Sequence, residues 1–600
     1  MKPELLAPAG SPEALLAAIR CGADAVYLGG GAFNARAGAR NFPGPALEDA
    51  GRLCESHGVK LYFTLNTLLT DRELPRALAL AGEAVRAGAQ AIIVQDLGLL
   101  RLLRRAYPGL SLHASTQCSV QTAAGMALLK ALGAARCIVP RELTRAELAA
   151  LADAAPLELE AFVHGALCMS VSGQCLLSFA LGGRSGNRGA CAQPCRLPFS
   201  IDNEQMYTAP CAGNNYALSL KDLSLLEEVT SPPLSRMAAL KLEGRQKRPE
   251  YVAAAVTAFR HALDGTPSPI DTEDLRRTFS RSGFTQGYFR AQRDKSMFGT
   301  RRREDVATPE TLRRMAALYA EERDMTKDAT LAEILFASGH IPVGQTFGRP
   351  NIAIQWSNIS GDVLRFLSHE QIPKSLPGPA QIFLPCDTPP ELLRKHRAQV
   401  TIPAGVFGDS DKILAQLRRA REAGAAFAMA QTLDGVALAR EAGLVPIAGE
   451  GMNILNSASL EALQDMGVAG AVLSAEITPA QARDLQAQIP VGAMVYGRLA
   501  LMLCRNCPVK ARLGCKGCGN SKSLVDRRGA AFPVRCENNC AKVYNSRPLW
   551  LADVQNKLPA LGFRVFSFTI ESREECASVL RAYHNKEAYR GEFTRGWCKG

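Results

Sequence analysis

The strongest constraint on this chain is a rhythm. In roughly its first 245 residues, eight short apolar segments alternate with helices rich in Ala, Leu and Arg. The segments are Glu4–Pro8, Ala25–Gly29, Lys60–Asn66, Ala91–Asp96, Leu110–Ala114, Arg136–Pro140, Leu157–Val163 and Ala238–Glu243. Ser11 caps the first helix, with Pro12 at its first position. Strands this apolar, spaced by helices, belong to a parallel sheet covered on both faces, and eight such units close into a TIM-like (β/α) barrel.

The rhythm then stops and returns. Asp264-Gly265-Thr266-Pro267-Ser268-Pro269 reads as a linker, followed by a basic stretch from Arg276 to Arg303 and by short strands over 329–368. Beyond it the first pattern recurs. Thr401-Ile402-Pro403-Ala404, Ala423-Gly424-Ala425-Ala426 and Val495-Tyr496-Gly497-Arg498 fall where Phe63–Asn66, Ala87–Gln90 and Val163-His164-Gly165-Ala166 fell. The expected organisation is α/β. An N-terminal barrel spans 1–265, a basic linker and small α+β insertion spans 266–375, and a second barrel-like half with Cys-rich loops spans 376–600.

Composition narrows the class. With 47% hydrophobic and 21% charged residues the chain is an ordinary globular one. No apolar run is long enough for a membrane span, and Met1–Pro8 lacks the pattern of a signal peptide, so a cytoplasmic location is expected. An excess of 70 basic over 57 acidic residues, +13, favours a polyanionic partner such as RNA. Phe279, Phe284, Tyr288 and Phe289 interleave with the arginines of the insertion, a pattern suited to stacking on unpaired bases.

The 18 cysteines are many for a reducing compartment. Cys168, Cys175, Cys191 and Cys195 lie among glycines just after a predicted strand end, and four thiolates on such turns suit zinc or an iron–sulfur cluster. Cys504, Cys507, Cys515 and Cys518 form two CxxC pairs, a second metal site for zinc or iron–sulfur.

The segment from Glu160 through His164-Gly165-Ala166-Leu167-Cys168 to Ser178 closely resembles a signature of the collagenase-like peptidases of unknown catalytic type, the thirty-second family of that class. Gly189–Arg196, Lys241–Arg245, Leu5–Gly10 and Gly22–Gly29 resemble it too, so the likeness covers about 1–300. Several members of that family are oxygen-independent hydroxylation factors for a tRNA uridine, an rRNA cytidine or ubiquinone precursors. The resemblance therefore implies RNA hydroxylation, a link to prephenate, and a 4Fe–4S cluster on Cys168, Cys175 and Cys191, with Cys195 or Cys211 as the fourth ligand. It equally implies a peptidase as the alternative.

Barrel enzymes place their chemistry at strand carboxy ends. That rule selects Asn66, Asp96, His113, Glu160, His164, Glu243 and Arg245. The histidines suit proton transfer, Glu160 and Glu243 suit paired acid/base work, and Arg245 suits a grip on a small carboxylate such as prephenate. For a peptidase there is no HExxH and no GxSxG, leaving Ser178 or Cys168 as nucleophile. A third reading is a metal-stabilised RNA-binding or assembly factor without catalysis.

Overall fold

The computed structural model describes residues 2–202, 215–320 and 359–598. Seven parallel strands open the chain: β1 (Glu4–Pro8), β2 (Ala25–Leu28), β3 (Lys60–Leu65), β4 (Ala91–Val94), β5 (Ser111–Ala114), β6 (Arg136–Ile138) and β7 (Glu158–Ala166). Two short strands, β8 (Phe199–Ile201) and β9 (Asp222–Ser224), precede β10 (Ala239–Leu242). β10 pairs with both β1 and β7, which closes an eight-stranded barrel from the eight expected segments. The first helix, Pro12–Arg20, begins as its sequence requires: the Ser11 hydroxyl accepts from the Ala14 N–H.

The described part of the basic stretch is no separate domain. Helices Pro269–Thr278 and Pro309–Ala320 pack on the barrel's own last helix, Pro249–Asp264, and β11 (Phe284–Thr285) pairs with β9. The strands expected over 329–358 lie outside the described residues.

The second barrel consists of β12 (Gly361–Phe366), β13 (Ala380–Pro385), β14 (Gln399–Thr401), β15 (Phe427–Ala430), β16 (Val445–Ala448), β17 (Ala471–Val472) and β18 (Val491–Gly497), closed by a last strand near the C-terminus. Between β18 and that strand come β19 (Ala500–Cys504), β20 (Ser523–Asp526), β21 (Ala531–Glu537), β22 (Cys540–Tyr544) and β23 (Leu549–Trp550). The closing strand is β24 (Phe563–Phe568). The boundary expected at 376 is therefore too late. Pro373, Pro377, Gly378 and Pro379 lie in the connection between the first two strands of this barrel.

The two barrels dock as the halves of a symmetric dimer do, although they share one chain. Helix Leu97–Ala106, after the fourth strand of the first barrel, packs on Ser457–Asp465, after the fifth strand of the second. Helix Ala123–Ala131, after the fifth strand of the first, packs on Leu433–Glu441, after the fourth strand of the second. The strand-seven excursions of both halves also merge, because β8 of the first adds to the sheet β19-β22-β21-β20 of the second.

Candidate active site at the mouth of the first barrel

The carboxy-terminal rim of the first barrel gathers cations around one carboxylate. Glu243, which follows β10, accepts from Arg141 at 3.0 Å and pairs with Arg36 at 3.2 Å. Arg36 rides on the loop after β2. Asn66, at the end of β3, accepts from the Ala35 N–H at 2.9 Å and so fixes that loop. The Arg141 guanidinium lies 3.6 Å from the centre of the Phe162 ring. Burial alone would raise the Glu243 carboxyl, but Arg36 and Arg141 outweigh it and hold it below the usual carboxylate range.

Arg245 is 3% exposed and donates to Thr64 Oγ1 and Asn34 Oδ1, each at 3.0 Å, and to Asn41 Oδ1. All three acceptors are neutral, and burial pulls the guanidinium down to about 10. A buried cation whose hydrogen bonds go only to neutral groups is stabilised by any anion that enters. Lys247, on the same loop, is pulled down to about 7, chiefly by burial and next by Arg281.

The cysteine loop borders this mouth. The charge of Cys168 is felt by Arg36, which burial opposes and Glu243 chiefly sustains as a cation. Burial raises the Cys175 thiol, and the neighbouring Cys195, Cys191 and Cys168 raise it further. Burial likewise pushes Cys195 up to about 11, against the pull of Arg196 and with Cys168 and Cys191 adding to it. Cys175 and Cys195 thus each lie within reach of the charge of Cys168 and Cys191, which are exposed. Gly173 (φ 86°) and Gly189 (φ 79°) turn the loop in left-handed backbone, pressed on the backbones of Gln117 and Asn34, where a side chain has no room. The second half holds the loop from the other side. Val171 N–H donates to Leu503 O and Leu176 N–H to Leu501 O, each at 2.8 Å, and Asn453 donates to Gly173 O at 2.9 Å.

Among the described residues, no three Cys, His or acidic side chains gather round one point as a single ion requires. Zinc–sulfur bonds of about 2.3 Å put tetrahedral sulfurs about 3.8 Å apart. A cubane holds each thiolate on a different iron and takes a wider ring. Cys168, Cys175, Cys191 and Cys195 supply four sulfur donors on one loop, the donor type that an iron–sulfur site takes. Cys211 lies outside the described residues.

Several expected site residues stand elsewhere. Glu160 is fully buried inside the barrel, 2.6 Å from Lys241 and 3.5 Å from Arg136. It anchors an internal ion network that continues through Arg136 to Glu4 and Lys60, so it does not pair with Glu243. His113 lies in the same interior, edge-on to Tyr62 at 4.9 Å. Burial first, then Arg136 and Lys241, keep it neutral, which removes it as an acid near pH 7. His164 points away from the mouth among Tyr251, Phe259 and Phe284, and burial pulls it down to about 3. The strand alternation that sends Glu160 and Phe162 inward, with a bulge before His164, explains this. Asp96 caps helix Leu97–Ala106 and accepts from Asn456 at 2.8 Å and Ser459 at 3.2 Å, so it belongs to the junction between barrels. In the basic stretch Tyr288 and Phe289 are buried rather than offered to bases. Arg36 and Arg141 were missed. Arg141 follows β6 closely enough for the strand-end rule to have selected it, whereas the loop of Arg36 carries no such signal.

Of the second cysteine set, Cys504 is fully buried on β19, where its thiol is raised by burial and next by Cys507, and Cys507 is in turn raised by burial, with Cys518 and Cys536 adding to it. Among the described residues these thiols do not gather round one point as a single metal ion requires.

Comparison with known proteins places this region in a family. The model for "Peptidase family U32" matches residues 10–298, which hold the whole first barrel mouth and its cysteine loop. The chain is 36% identical over 296 residues to the 23S rRNA 5-hydroxycytidine C2501 synthase of Escherichia coli, covering 49% of this chain and 43% of that one. It is 34% identical to the tRNA hydroxylation protein P1 of Bacillus subtilis, covering 44% of this chain and 63% of the relative. It is 37% identical to the uncharacterized protease MJ0090 of Methanocaldococcus jannaschii, covering 48% of this chain and 73% of that one. A match of that identity across nearly three quarters of a relative, together with the family model over 10–298, makes this chain a member of peptidase family U32.

Proposed function

We propose that this chain is an iron–sulfur-dependent, oxygen-independent RNA base hydroxylase acting on an rRNA cytidine or a tRNA uridine. The observation that carries the reading is the cation-rich mouth, with an Arg245 lacking an ion-pair partner, bordered by Cys168 and its three neighbouring thiols. Two relatives named for RNA hydroxylation support the substrate class.

Cys168, Cys175, Cys191 and Cys195 would hold the cluster, which when bound supplies one-electron chemistry beside the mouth. Arg245, with Arg36 and Arg141, binds a small carboxylic acid such as a prephenate-derived donor, in the planar two-point manner of guanidinium. Converting a ring C–H to C–OH withdraws two electrons from the base, and the bound acid would balance this by breaking one of its own C–OH bonds, giving up that oxygen and ending as C–H with the two electrons and the displaced hydrogen. The packed walls around Arg245 exclude water from it. Arg301, Arg302 and Arg303 are exposed nearby, and Arg301 lies 4.8 Å from the centre of the Phe279 ring at the edge of the site, placed for RNA phosphates.

The peptidase reading finds less to work with. Ser178 Oγ accepts from the Ala192 N–H at 2.9 Å, and among the described residues no histidine is bonded to it.

The test is mass spectrometry of rRNA and tRNA from cells lacking the gene, with and without complementation, beside anaerobic purification. Loss of one hydroxylated pyrimidine, restored by the wild type, with absorbance near about 400 nm supports the proposal. An unchanged RNA profile, or colourless protein without iron, overturns it. A coloured protein with unchanged RNA would leave the assembly-factor reading standing in its place.

A further inference from the structure

We propose that Lys247, Arg281 and Arg301, gathered round the ring of Phe279, form a phosphate subsite that grips the RNA backbone beside the first barrel mouth. The inference rests on the reading of RNA as the substrate and adds which groups hold the strand.

Three separate segments bring these charges together. Helix Pro269–Thr278 ends at Phe279, where the chain becomes extended and bridges to Val306. In extended backbone alternate side chains share a side. Ser280 is fully buried and donates to Asp305 Oδ1 at 2.7 Å, so Phe279 and Arg281 face the other way together. The same stretch is tied to the segment that follows. Ser282 N–H donates to Asp305 Oδ2 at 2.9 Å and Ser282 Oγ to Thr300 O at 2.7 Å, which brings Arg301 alongside. Lys247 arrives from the loop after β10. It stands two residues beyond Arg245, so the two α-carbons are no more than about 7 Å apart.

The ring is the common point. The Lys247 ammonium lies 2.7 Å from its centre, the Arg301 guanidinium 4.8 Å and the Arg281 guanidinium 5.1 Å. An aromatic face attracts a cation without neutralising it. One carboxylate meets the three: Asp222 on β9, itself buried, accepts from Arg281 at 2.5 Å. Among the described residues no carboxylate forms an ion pair with Lys247 or Arg301. Like charges held this close repel, and a bound anion relieves the repulsion. Arg301 is exposed and Lys247 half-buried, so a strand reaches both from solvent. The arginines of the neighbouring helix differ. Arg276 and Arg277 donate to Glu273 at 3.1 and 2.5 Å, so their charge is answered within the helix. Phosphate contacts position a nucleic acid and leave base reading to other groups, here those of the adjoining mouth.

Lys247 makes the subsite sensitive to pH. Burial first and Arg281 next pull its ammonium down to about 7. The groups that face it are Asp222 on β9, Arg281 and Arg301, Glu243 on its own loop, Tyr251 on helix Pro249–Asp264 and His164 on β7. A phosphate favours the protonated amine, so binding above pH 7 takes up a proton and weakens as the pH rises.

The test is binding of a labelled single-stranded RNA of mixed cytidine and uridine to the full-length protein, followed by fluorescence anisotropy over a range of salt and pH. The double variant Lys247→Ala with Arg301→Ala should bind about tenfold more weakly, and its slope of log affinity against log salt should be shallower by about 0.7, the share of one phosphate. Arg276→Ala should change neither. Above pH 7 the wild type should lose affinity, by up to about tenfold per unit, whereas Lys247→Arg should bind as tightly at pH 7 and show a flat profile. Affinity and slope unmoved in the double variant overturn the proposal, as does a pH dependence that persists in Lys247→Arg. A double variant that binds RNA normally but loses the modified base assigns these cations to the small acid and overturns it too. If binding responds as expected while cells lacking the gene keep every hydroxylated pyrimidine, the phosphate subsite stands and the hydroxylase reading fails.

Discussion

The two barrels share a ladder and differ in what fills it. In both, the seventh strand bulges against the eighth, between Phe162 and His164 in one and between Met494 and Tyr496 in the other. A left-handed glycine follows each bulge, Gly165 and Gly497. Inside, the same position holds opposite chemistry. Glu160 faces Ala239 in the first barrel, and Gly492 faces Phe563 in the second. A charged chain beside a methyl group has been exchanged for a phenyl ring beside no side chain. The rest follows suit. The first interior is an ion network of Glu4, Lys60, Arg136, Glu160 and Lys241, while the second is packed with Val363, Phe383, Met429, Ile447, Val472 and Val565. At the mouths the contrast repeats. Arg365 of the second barrel is neutralised by Glu450 through two bonds of 2.9 and 2.6 Å, whereas Arg245 of the first bonds only neutral oxygens. The second half has become the packed support that presses β19 on the first half's cysteine loop.

The largest effects should come from exchanging these interiors. Glu160→Ala leaves Lys241 and Arg136 buried without their shared carboxylate, and unfolding by denaturant should show a loss of about 3–5 kcal/mol. Phe563→Ala should lose a similar amount, about 3–5 kcal/mol, through a cavity instead. The double variant Glu160→Met with Lys241→Met separates the causes. It should regain most of the stability, because a buried pair replaced by apolar groups of like volume is often neutral. If the network exists to set the mouth, the modified base should still be missing. A stable and fully active double variant would break the contrast between the barrels.

Next in size is the mouth itself. Arg36→Ala removes one of the two cations on Glu243 and should lower the yield of modified base by about 100-fold, with little change in the melting temperature, since Arg36 is partly exposed. Replacing Arg365 and Glu450 together by Met and Leu in the second barrel should leave that yield within about twofold. Equal losses in both would make the second mouth a second working site.

The strand order was legible because burial on both faces leaves continuous apolar runs, and every segment listed by its apolarity in the first barrel became a strand of it. The direction of a side chain on such a strand is not legible in the same way. Glu160, His113 and His164 all stand near strand ends, yet the pleat and a one-residue bulge send two of them into the interior and one outward. Arg36 could not be found at all, because its position depends on a loop tied down by Asn66 from another strand. The cysteine loops were visible as composition, but the burial of Cys504 on β19 and the exposure of Cys515 and Cys536 depended on a sheet register that composition does not carry.

The bulged positions also differ in their response to acid. His164 in the unfolded chain takes a proton near pH 6.5, while in the fold it does so only near about 3. Between those values the unfolded chain binds more protons, so stability is full above about 6.5 and falls as the pH drops, by up to about 1.4 kcal/mol per unit. Tyr496, its counterpart, donates to Glu571 at 3.1 Å and takes up no proton there. His164→Phe should flatten that part of the stability curve measured from pH 7 to 4. An unchanged slope would place the acid sensitivity elsewhere in the first barrel.

The smallest effects belong to the junction, where two buried aspartates look alike and should not behave alike. Asp96 uses both oxygens: Oδ1 accepts from Leu99 N–H and Ser459, and Oδ2 from Leu69 N–H and Asn456. An amide cannot replace it without turning an NH2 group on a backbone N–H. Asp434 takes its Thr122 bonds on Oδ1 alone, and Gln121 N–H reaches either oxygen, at 3.1 and 3.0 Å. Asparagine can reproduce that. Burial pushes the Asp434 carboxyl up to about 6, so between its unfolded value near 3.8 and about 6 the fold holds the extra proton and stability declines as pH rises. Asp434→Asn removes that dependence and should change stability at pH 7 by less than about 1 kcal/mol, whereas Asp96→Asn should cost about 1–2 kcal/mol. Denaturant midpoints at pH 7 and pH 4.5 decide the matter. If Asp434→Asn proves the more damaging, the pseudo-symmetric junction is held chiefly by charge on the helix of the second barrel, and the first barrel's Asp96 is only a helix cap.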